Sequence, residues 1–444
     1  MANKTAKHKH AIVIGGSMAG LLAARALSDS FEKVTILERD PVRPVPESRK
    51  GQPQTRHVHG LLAQGLLIFN EYFPGIEDEM VAAGALSGDM AQAFHWYHDG
   101  GYRLQLESGL AGMTMSRPFL EFHIRRRTLA VPNITLLDSC SVKALITSPD
   151  RRQVQGVQIN RRDEENNTEP LLADLVVDAS GRGSSTPKWL ESLGYERPQE
   201  TEVKIRVSYA TREYRRTITG PGIVFLEMIS PRAPQEKRGA FLFPVEGDRW
   251  ILTAGSYVGD HIPATEDGLM EYIRNLPASN IYDVISKAEP LSEVLTYKYP
   301  SSLRRHYEKL KRFPENYLVM GDAAGSMNPI YGQGMTSSAM QSKVLQRTVQ
   351  QPTLQGIWKN YFKAIARVID IPWQLTVGED FRYPETEGVK PPFIDLINAY
   401  VAKAHRATHH DPVVYKQFLR VMNLMDPPAS LMSPAIFWRV LFKG

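Results

Sequence analysis

The sequence predicts an α/β chain: a Rossmann-like domain with a parallel sheet, interrupted by a mostly antiparallel β-sheet domain and followed by a C-terminal helical region. Three observations carry that prediction. Residues 11–38, AIVIGGSMAGLLAARALSDSFEKVTILE, read as strand, tight turn, helix, strand. Two later apolar strands end in small-residue turns, ADLVVDASGRG at 173–183 and YLVMGDAAG at 317–325. Between them, residues 200–299 alternate apolar and polar positions, the period of a strand rather than of a helix.

In the first unit, residues 11–14 are a short apolar run and Leu21, Leu22, Ala24 and Leu27 follow at helical spacing. The turn between them wants small residues at three places. Gly15 makes the turn, Ser17 lets a pyrophosphate approach the backbone, and Gly20 lets the helix pack on the strand. Met18 and Ala19 open the helix, whose N-terminus points unpaired N–H groups and a positive dipole end at a phosphate. Residues 34–37 form the next strand, and Glu38 closes it with a carboxylate placed to accept from ribose hydroxyls, with Arg39 beside it. The motif is therefore a dinucleotide fingerprint in its proper strand and helix context.

Composition agrees and excludes several classes. A chain of 444 residues exceeds one ordinary core. Its 42% hydrophobic and 23% charged content is that of a globular protein. Lys plus Arg exceeds Asp plus Glu by 53 − 48 = 5, with no basic block, so nucleic acid is not an expected partner. The single Cys140 excludes an internal disulfide and fits a reducing, cytoplasmic compartment. The polar start, MANKTAKHKH, leads straight into a needed strand and reads as a tail rather than a signal peptide. No apolar run approaches the roughly 20 residues of a membrane-spanning helix.

After Glu38, prolines hold residues 40–53 extended, and a helix is expected from about 60 to 72. Arg49, Arg56, His57 and His59 lie on this loop, which either covers a cofactor or is a solvated basic crossing. His57 and His59 lack a third ligand at motif spacing, so no metal is expected. Residues 92–107 read as a hairpin turning at Asp99-Gly100, its aromatics free to line a pocket or simply pack the sheet. A helix with Pro118 in its first turn follows over 116–131, with Arg125 to Arg127 on its wet side. Strands are expected at 134–138, 142–147 and 154–159, with a hairpin tip at 161–169. Asp178-Ala179-Ser180-Gly181 ends the strand at 175–177. Further strands are expected at 204–211, 222–229, 239–244 and 250–255. Residues 317–320 are a strand ending at Gly321-Asp322, and a helix begins near Gly332-Gln333-Gly334 and runs to about 350. The last residues read as helices with proline in the first turn, at 391–405, 411–425 and 433–442, packing across the sheet or a pocket entrance; a peripheral membrane contact is the alternative.

GGSMAG with Glu38, DASGRG at 178–183 and GDAAGSMNPIYGQG at 321–334 together resemble the class A FAD-dependent monooxygenases, the para-hydroxybenzoate hydroxylase fold. The resemblance covers roughly residues 10–350. Within that class, RKGQPQTRHVHGLLAQG at 49–65 and FPVEGDRWILTAG at 243–255 look like the flavin epoxidases of polyether and polyene tailoring in secondary metabolism. The resemblance implies a discontinuous FAD-binding domain of the GR2 type over 1–85, 112–198 and 300–350. It implies a substrate domain over 86–111 and 199–299, with 351–444 as the helical region.

By the same resemblance, Gly15, Ser17, Met18, Ala19 and Gly20 hold the FAD pyrophosphate, and Glu38 and Arg39 the adenosine end, with Val142, Ala179 and Gly181 as further cofactor contacts. Arg117 reaches the ribityl-phosphate side, and Gly321 and Asp322 the ribityl chain. Pro329 lies beside the ring, and Gly332, Gln333, Gly334 and Met335 turn N–H groups toward its N1 and C2 carbonyl edge. Arg49, Gly51 and Gln52 match a loop lying over the flavin, which makes Arg49, Gly51 and Pro329 the catalytic candidates. The implied activity is epoxidation or hydroxylation of an apolar small molecule through the flavin C4a-hydroperoxide. Oxygen is the co-substrate and NAD(P)H or a separate flavin reductase the electron source. The family pattern has Asp-Gly where this chain has Asp178-Ala179-Ser180-Gly181, a motif linked to nicotinamide use. A flavin reductase of prenyl alkenes, a flavin halogenase and a flavin-free prenyl carrier share the architecture. The halogenase motif Trp-x-Trp-x-Ile-Pro is absent from the sequence, and a carrier would not need Glu38, Asp322 and 332–334.

Overall fold

The computed structural model describes residues 8–161, 168–217 and 226–442. Five parallel strands form one sheet, in the order Tyr317–Val319, Leu175–Asp178, His8–Ile14, Phe31–Leu37, Ile134–Leu137. Ala11 to Val13, Leu175 to Val177 and Tyr317 to Val319 are fully buried, because the parallel sheet is covered both by helices such as Met18–Leu27 and by the small antiparallel sheet of Cys140–Thr147, Val154–Arg161 and Thr168–Leu172, which explains why these strands read as unbroken apolar runs. Register aligns their ends: Ile14 lies opposite both Leu37 and Asp178, and Asp178 opposite Val319. The turns at Gly15, Glu38, Ala179 and Gly321 are thereby gathered along one edge, where open α/β sheets bind ligands.

The second large sheet has seven strands, in the order Leu295–Tyr299, Val207–Arg215, Arg249–Ser256, Arg238–Val245, Leu226–Ile229, Phe94–His98, Gly101–Tyr102. It is antiparallel except where Phe94–His98 pairs with Leu226–Ile229. The expected hairpin turns at Asp99 and Gly100, both at positive φ, 51° and 86°. One face of the sheet packs Trp250, Leu252 and Ala240 under two short helices, Glu266–Arg274 and Asn280–Ile285. Neither helix was expected from a stretch read as alternating strands, although Thr265 caps the first by accepting from the Gly268 N–H. The other face, with Phe241 and Phe243, looks into a cavity.

The helical region contains one element that the sequence reading passed over, the 24-residue helix Ile357–Asp380. Pro372 inside it breaks the pattern that would have marked it. Helices Ile394–Ala407, Pro412–Met422 and Pro434–Phe442 follow, and they pack on Trp96, Leu110 and Ala63 to close a separate core. The last helix buries Ile436 and Val440 and leaves Phe437, Trp438 and Phe442 exposed.

Three other expectations need comment. Arg125 is buried rather than wet: it donates to the Arg43 carbonyl and lies 3.6 Å from Glu121. Most of the hairpin tip at 161–169 and the first residues of the strand expected at 222–229 lie outside the described residues. No helix among the described residues is long and apolar enough to cross a membrane.

Candidate functional site

The fingerprint turn is built by contact. Gly15 stands at φ 104°, and a β-carbon there would come within 2.6 Å of the Ala179 carbonyl oxygen. A β-carbon on Gly20 would sit 1.7 Å from the Gly15 carbonyl oxygen, so only glycine lets the Met18–Leu27 helix leave the turn this closely. Ser17 precedes that helix without capping it by its side chain, which leaves the first N–H groups for a ligand. Gly321, at φ 66°, packs a hypothetical β-carbon 2.7 Å from Ala19, so the Gly-Asp turn rests directly on the fingerprint helix.

At this edge five charged groups interlock. Glu38 accepts from the Gly16 N–H at 2.9 Å and the Asp40 N–H at 3.0 Å, and Arg49 Nη1 lies 3.0 Å from it. Arg49 also pairs with Glu121, which accepts from Ser17 Oγ at 2.8 Å and lies 2.9 Å from Arg117. Burial works against the Glu121 carboxylate, but Arg117 and Arg49 hold it below the usual range. The cluster of Arg49, Arg117 and Arg125 with Glu38 and Glu121 carries one surplus positive charge, and Arg117 Nη1 is buried with no partner. Glu121 was missed from sequence. Its position four residues from both Arg117 and Arg125 on one helix face was the available signal.

These contacts show where two of the expected residues lie. Arg49 sits at the Glu38 and Ser17 end of the cleft, bonded also to the Gly16 carbonyl. Gly51 donates to Asp40 at 2.8 Å, and a β-carbon there would meet Asp40 and Arg39, not an open ring site. The loop reaches the cavity at the other end of the cleft with Gln54 and residues 57–62. Gln52 is buried and accepts from Thr55 Oγ1 through its carbonyl. Val142 lies on the strand Cys140–Thr147, whose first N–H bonds the Glu38 carbonyl, and so belongs to the same nucleotide end. Asp178 is fully buried and accepts from the Ser180 N–H and the Ser184 and Thr186 hydroxyls, so it fixes its turn and faces no ligand. Gly181, in contrast, borders open space.

The end of the cleft where the resemblance expects the flavin ring, called the ring-side end, is formed by residues 328–335. Gly332 and Gly334 border open space at the start of the helix Gly334–Val349, and Met335 packs on the main core. Both polar atoms of the Gln333 side chain are buried without partners. Asp322 follows the strand Tyr317–Val319 and is exposed, and the surrounding protein groups push its carboxyl up to about 6 against the pull of Arg182 and Arg117. The 328–331 turn is pinned from behind by groups the sequence reading did not identify. Asn328 donates to Asp380 at 3.1 Å and accepts from Tyr209 at 3.1 Å, and Tyr331 donates to the same Asp380 oxygen at 3.0 Å. Asp380 is fully buried with its second oxygen unpartnered, and burial pushes its carboxyl up to about 7.

From Pro329 and Gly332 a cavity of about 700 Å³ runs between the seven-stranded sheet and the C-terminal helices. Its walls are mainly apolar, with Met90, Phe94, Trp96, Met228, Phe241 and Phe243 on the sheet side and Trp373, Leu375, Ile394 and Leu419 opposite. His57 and His59 lie where the cavity meets the ring-side turn. His57 Nδ1 bonds Thr211 at 2.7 Å and His59 Nδ1 bonds the His57 carbonyl at 2.9 Å. Burial lowers both to about 4, so both imidazoles are neutral near pH 7. Asn423 accepts from the Ala63 N–H at 2.9 Å and so ties the end of the helix Pro412–Met422 to the chain just beyond them.

No family model matches the chain. Protein Rv3254 of Mycobacterium tuberculosis is 32% identical over 449 residues, covering 97% of this chain and 93% of the relative. Among solved structures, the flavin-dependent brominase Bmp2 superposes with a TM-score of 0.67 at 13% identity, over 98% of each chain. PqsL of Pseudomonas aeruginosa, described as a probable FAD-dependent monooxygenase, superposes with a TM-score of 0.60 at 16% identity, over 84% of this chain and 97% of that one. The resemblance to flavin epoxidases finds no counterpart among these neighbours. With a full-length relative above 30% identity and a fold shared end to end with flavoenzymes, the chain belongs to the family of Rv3254 and has the fold of the class A flavoprotein monooxygenases.

Proposed function

We propose that the chain is an FAD-dependent monooxygenase that epoxidises or hydroxylates a largely apolar, elongated small molecule. The observation that carries this reading is a pairing of two features. The Gly321-Asp322 turn rests on the fingerprint helix at Ala19, and a few residues further on Pro329 to Gly332 form one wall of a large apolar cavity.

The residues fit FAD. The turn at 15–20 accommodates a pyrophosphate only because its glycines exclude β-carbons, and the surplus positive charge around Arg117 matches a diphosphate. Glu38 and Asp322 would accept from the ribose and ribityl hydroxyls. The N-terminus of the Gly334–Val349 helix offers N–H groups to an electron-rich edge. FAD, when bound and reduced, supplies the oxygen-activating chemistry. The chain's own part is to hold the substrate in a water-poor cavity, with Asn328, Tyr331 and Asp380 keeping the ring-side turn in place. His57 and His59 are weak bases with their Nδ1 atoms committed, which favours an alkene or another substrate that needs no deprotonation over a phenol.

The test is to load the purified protein with FAD, reduce it chemically and admit labelled oxygen with polyene and phenol substrates, with and without bromide. One labelled oxygen atom in the product supports the reading, and comparison of NADH, NADPH and an added flavin reductase identifies the electron donor. Halogenated product only with bromide present would replace it with the halogenase reading, and saturation of an alkene without oxygen uptake with the reductase reading. A folded protein that takes up no FAD would remove all three.

A further inference from the structure

The end of the cavity away from the ring-side turn is bounded by Trp96, His98, His405 and Phe418. Behind these four lies Arg103, 3% exposed and stacked over the Trp96 ring at 3.9 Å and the Phe418 ring at 4.5 Å. Arg103 donates to Thr408 Oγ1 and, at 2.7 Å, to His405 Nδ1, while its Nε is buried without a partner. Among the described residues no carboxylate lies within ion-pair distance of it. The neighbouring acids are paired with other groups: Glu379, which also lines the cavity, lies 3.0 Å from Arg382 and 3.6 Å from His405 Nε2, and Asp99 lies 3.1 Å from Arg406. His98 is buried, its ring 4.4 Å from that of His405, and its Nδ1 has no partner either. Burial keeps both His98 and His405 neutral, reinforced at His98 by Arg103 and opposed at His405 by Glu379, so they do not add to the charge. With Arg382 and Arg406 offset by Glu379 and Asp99, Arg103 is a buried cation without a counter-charge. An isolated buried charge is costly, and an anion brought to it offsets that cost.

We propose that this end of the cavity is a subsite for the acidic terminus of the substrate, a carboxylate or comparably acidic oxygen, received at His98, whose Nδ1 is unpartnered, with Arg103 supplying the opposing charge. The inference rests on reading the cavity as the substrate site, and it narrows the substrate class to apolar chains that carry one acid end. The apolar walls take the chain and the ring-side turn takes the position to be oxidised. Such a substrate is oriented by its two ends, which sets which carbon lies nearest Pro329.

The experiment is calorimetric titration of the full chain with decanoate, methyl decanoate and decan-1-ol, with no turnover involved. Decanoate is expected to bind at least about ten-fold more tightly than the ester or the alcohol, the scale of one charge-assisted hydrogen bond. Arg103→Met should bring the three ligands to similar affinity without weakening the ester. Equal binding of acid and ester by the unaltered protein would overturn the proposal, as would an acid preference that survives Arg103→Met. Should that variant fail to fold, His98→Leu is titrated instead, and an undiminished acid preference there overturns the placement. FAD uptake by the same preparation is measured separately, so a failed subsite leaves the flavin reading standing and a failed flavin reading leaves the acid preference to be judged by itself.

Discussion

Asp380→Asn isolates the group that holds the ring-side turn from behind. Its Oδ1 accepts from Asn328 and Tyr331, and an asparagine oxygen would do the same, so the variant keeps both bonds while losing the titration. Burial raises the Asp380 carboxyl from 3.8 to about 7. A carboxyl raised in the folded state contributes stability that is fully present below its unfolded value of 3.8 and is lost as pH rises through about 7. Between about pH 5 and pH 7 the loss amounts to two pH units at about 1.4 kcal/mol each, a ceiling of about 3 kcal/mol, and to roughly half that if water enters on ionisation. The unaltered protein should therefore lose ground to Asp380→Asn steadily over that range, and the gap should stop growing above about pH 8. Urea unfolding of both proteins at matched pH values measures it. Two unfolding midpoints that move in parallel from pH 5 to 8 would refute the reasoning and show that Asp380 does not titrate there.

Three further outcomes are expected. If a ribityl hydroxyl donates to the ionised Asp322 as proposed, FAD affinity should fall as pH drops below about 6, by up to about ten-fold per unit; equilibrium dialysis of Asp322→Asn should give a weaker and flat profile. Gly51→Val presses on Asp40 and Arg39 at 2.5 and 2.8 Å, so it should weaken FAD binding at the nucleotide end and leave decanoate binding in the cavity unchanged, which calorimetry with both ligands resolves. Thr211→Val strips His57 Nδ1 and Thr253 of a shared hydroxyl partner and should cost about 1–3 kcal/mol of stability in denaturant unfolding, since a buried nitrogen is left unpaired.

What the sequence made legible was local. Gly15, Ser17 and Gly20 announce themselves because strand, turn and helix follow within a few residues, and the backbone conformation each position requires is written in its residue type. The same holds for the Asp99-Gly100 turn and for the start of the Gly334–Val349 helix. Resemblance assigns the loop at 49–52 to the flavin, but the partners of its side chains are not legible from position along the chain. Arg49 is drawn to the nearest buried carboxylates, Glu38 and Glu121, and the latter lies 72 residues further on. The residues that do reach the ring-side end are His57 and His59, at the other end of the same loop.

The cavity was out of reach for the same reason on a larger scale. Its polar contacts join parts of the chain that share no local pattern: Asn328 to Asp380, His57 to Thr211, Arg103 to His405, the last separated by 302 residues. Asp380 sits at the end of a helix whose amphipathic pattern is interrupted by Pro372, and Arg103 follows a two-residue strand in an unremarkable hairpin. Neither residue type nor spacing distinguishes them from surface charges, which Asp and Arg usually are. Only burial does, and burial here is created by the C-terminal helices folding over the sheet. The helices that resembled nothing in the flavin-binding motifs therefore supply both the carboxyl behind the ring-side turn and the wall at the acid-binding end. A family that keeps the fingerprint turn and varies this region would keep its cofactor and change its substrate.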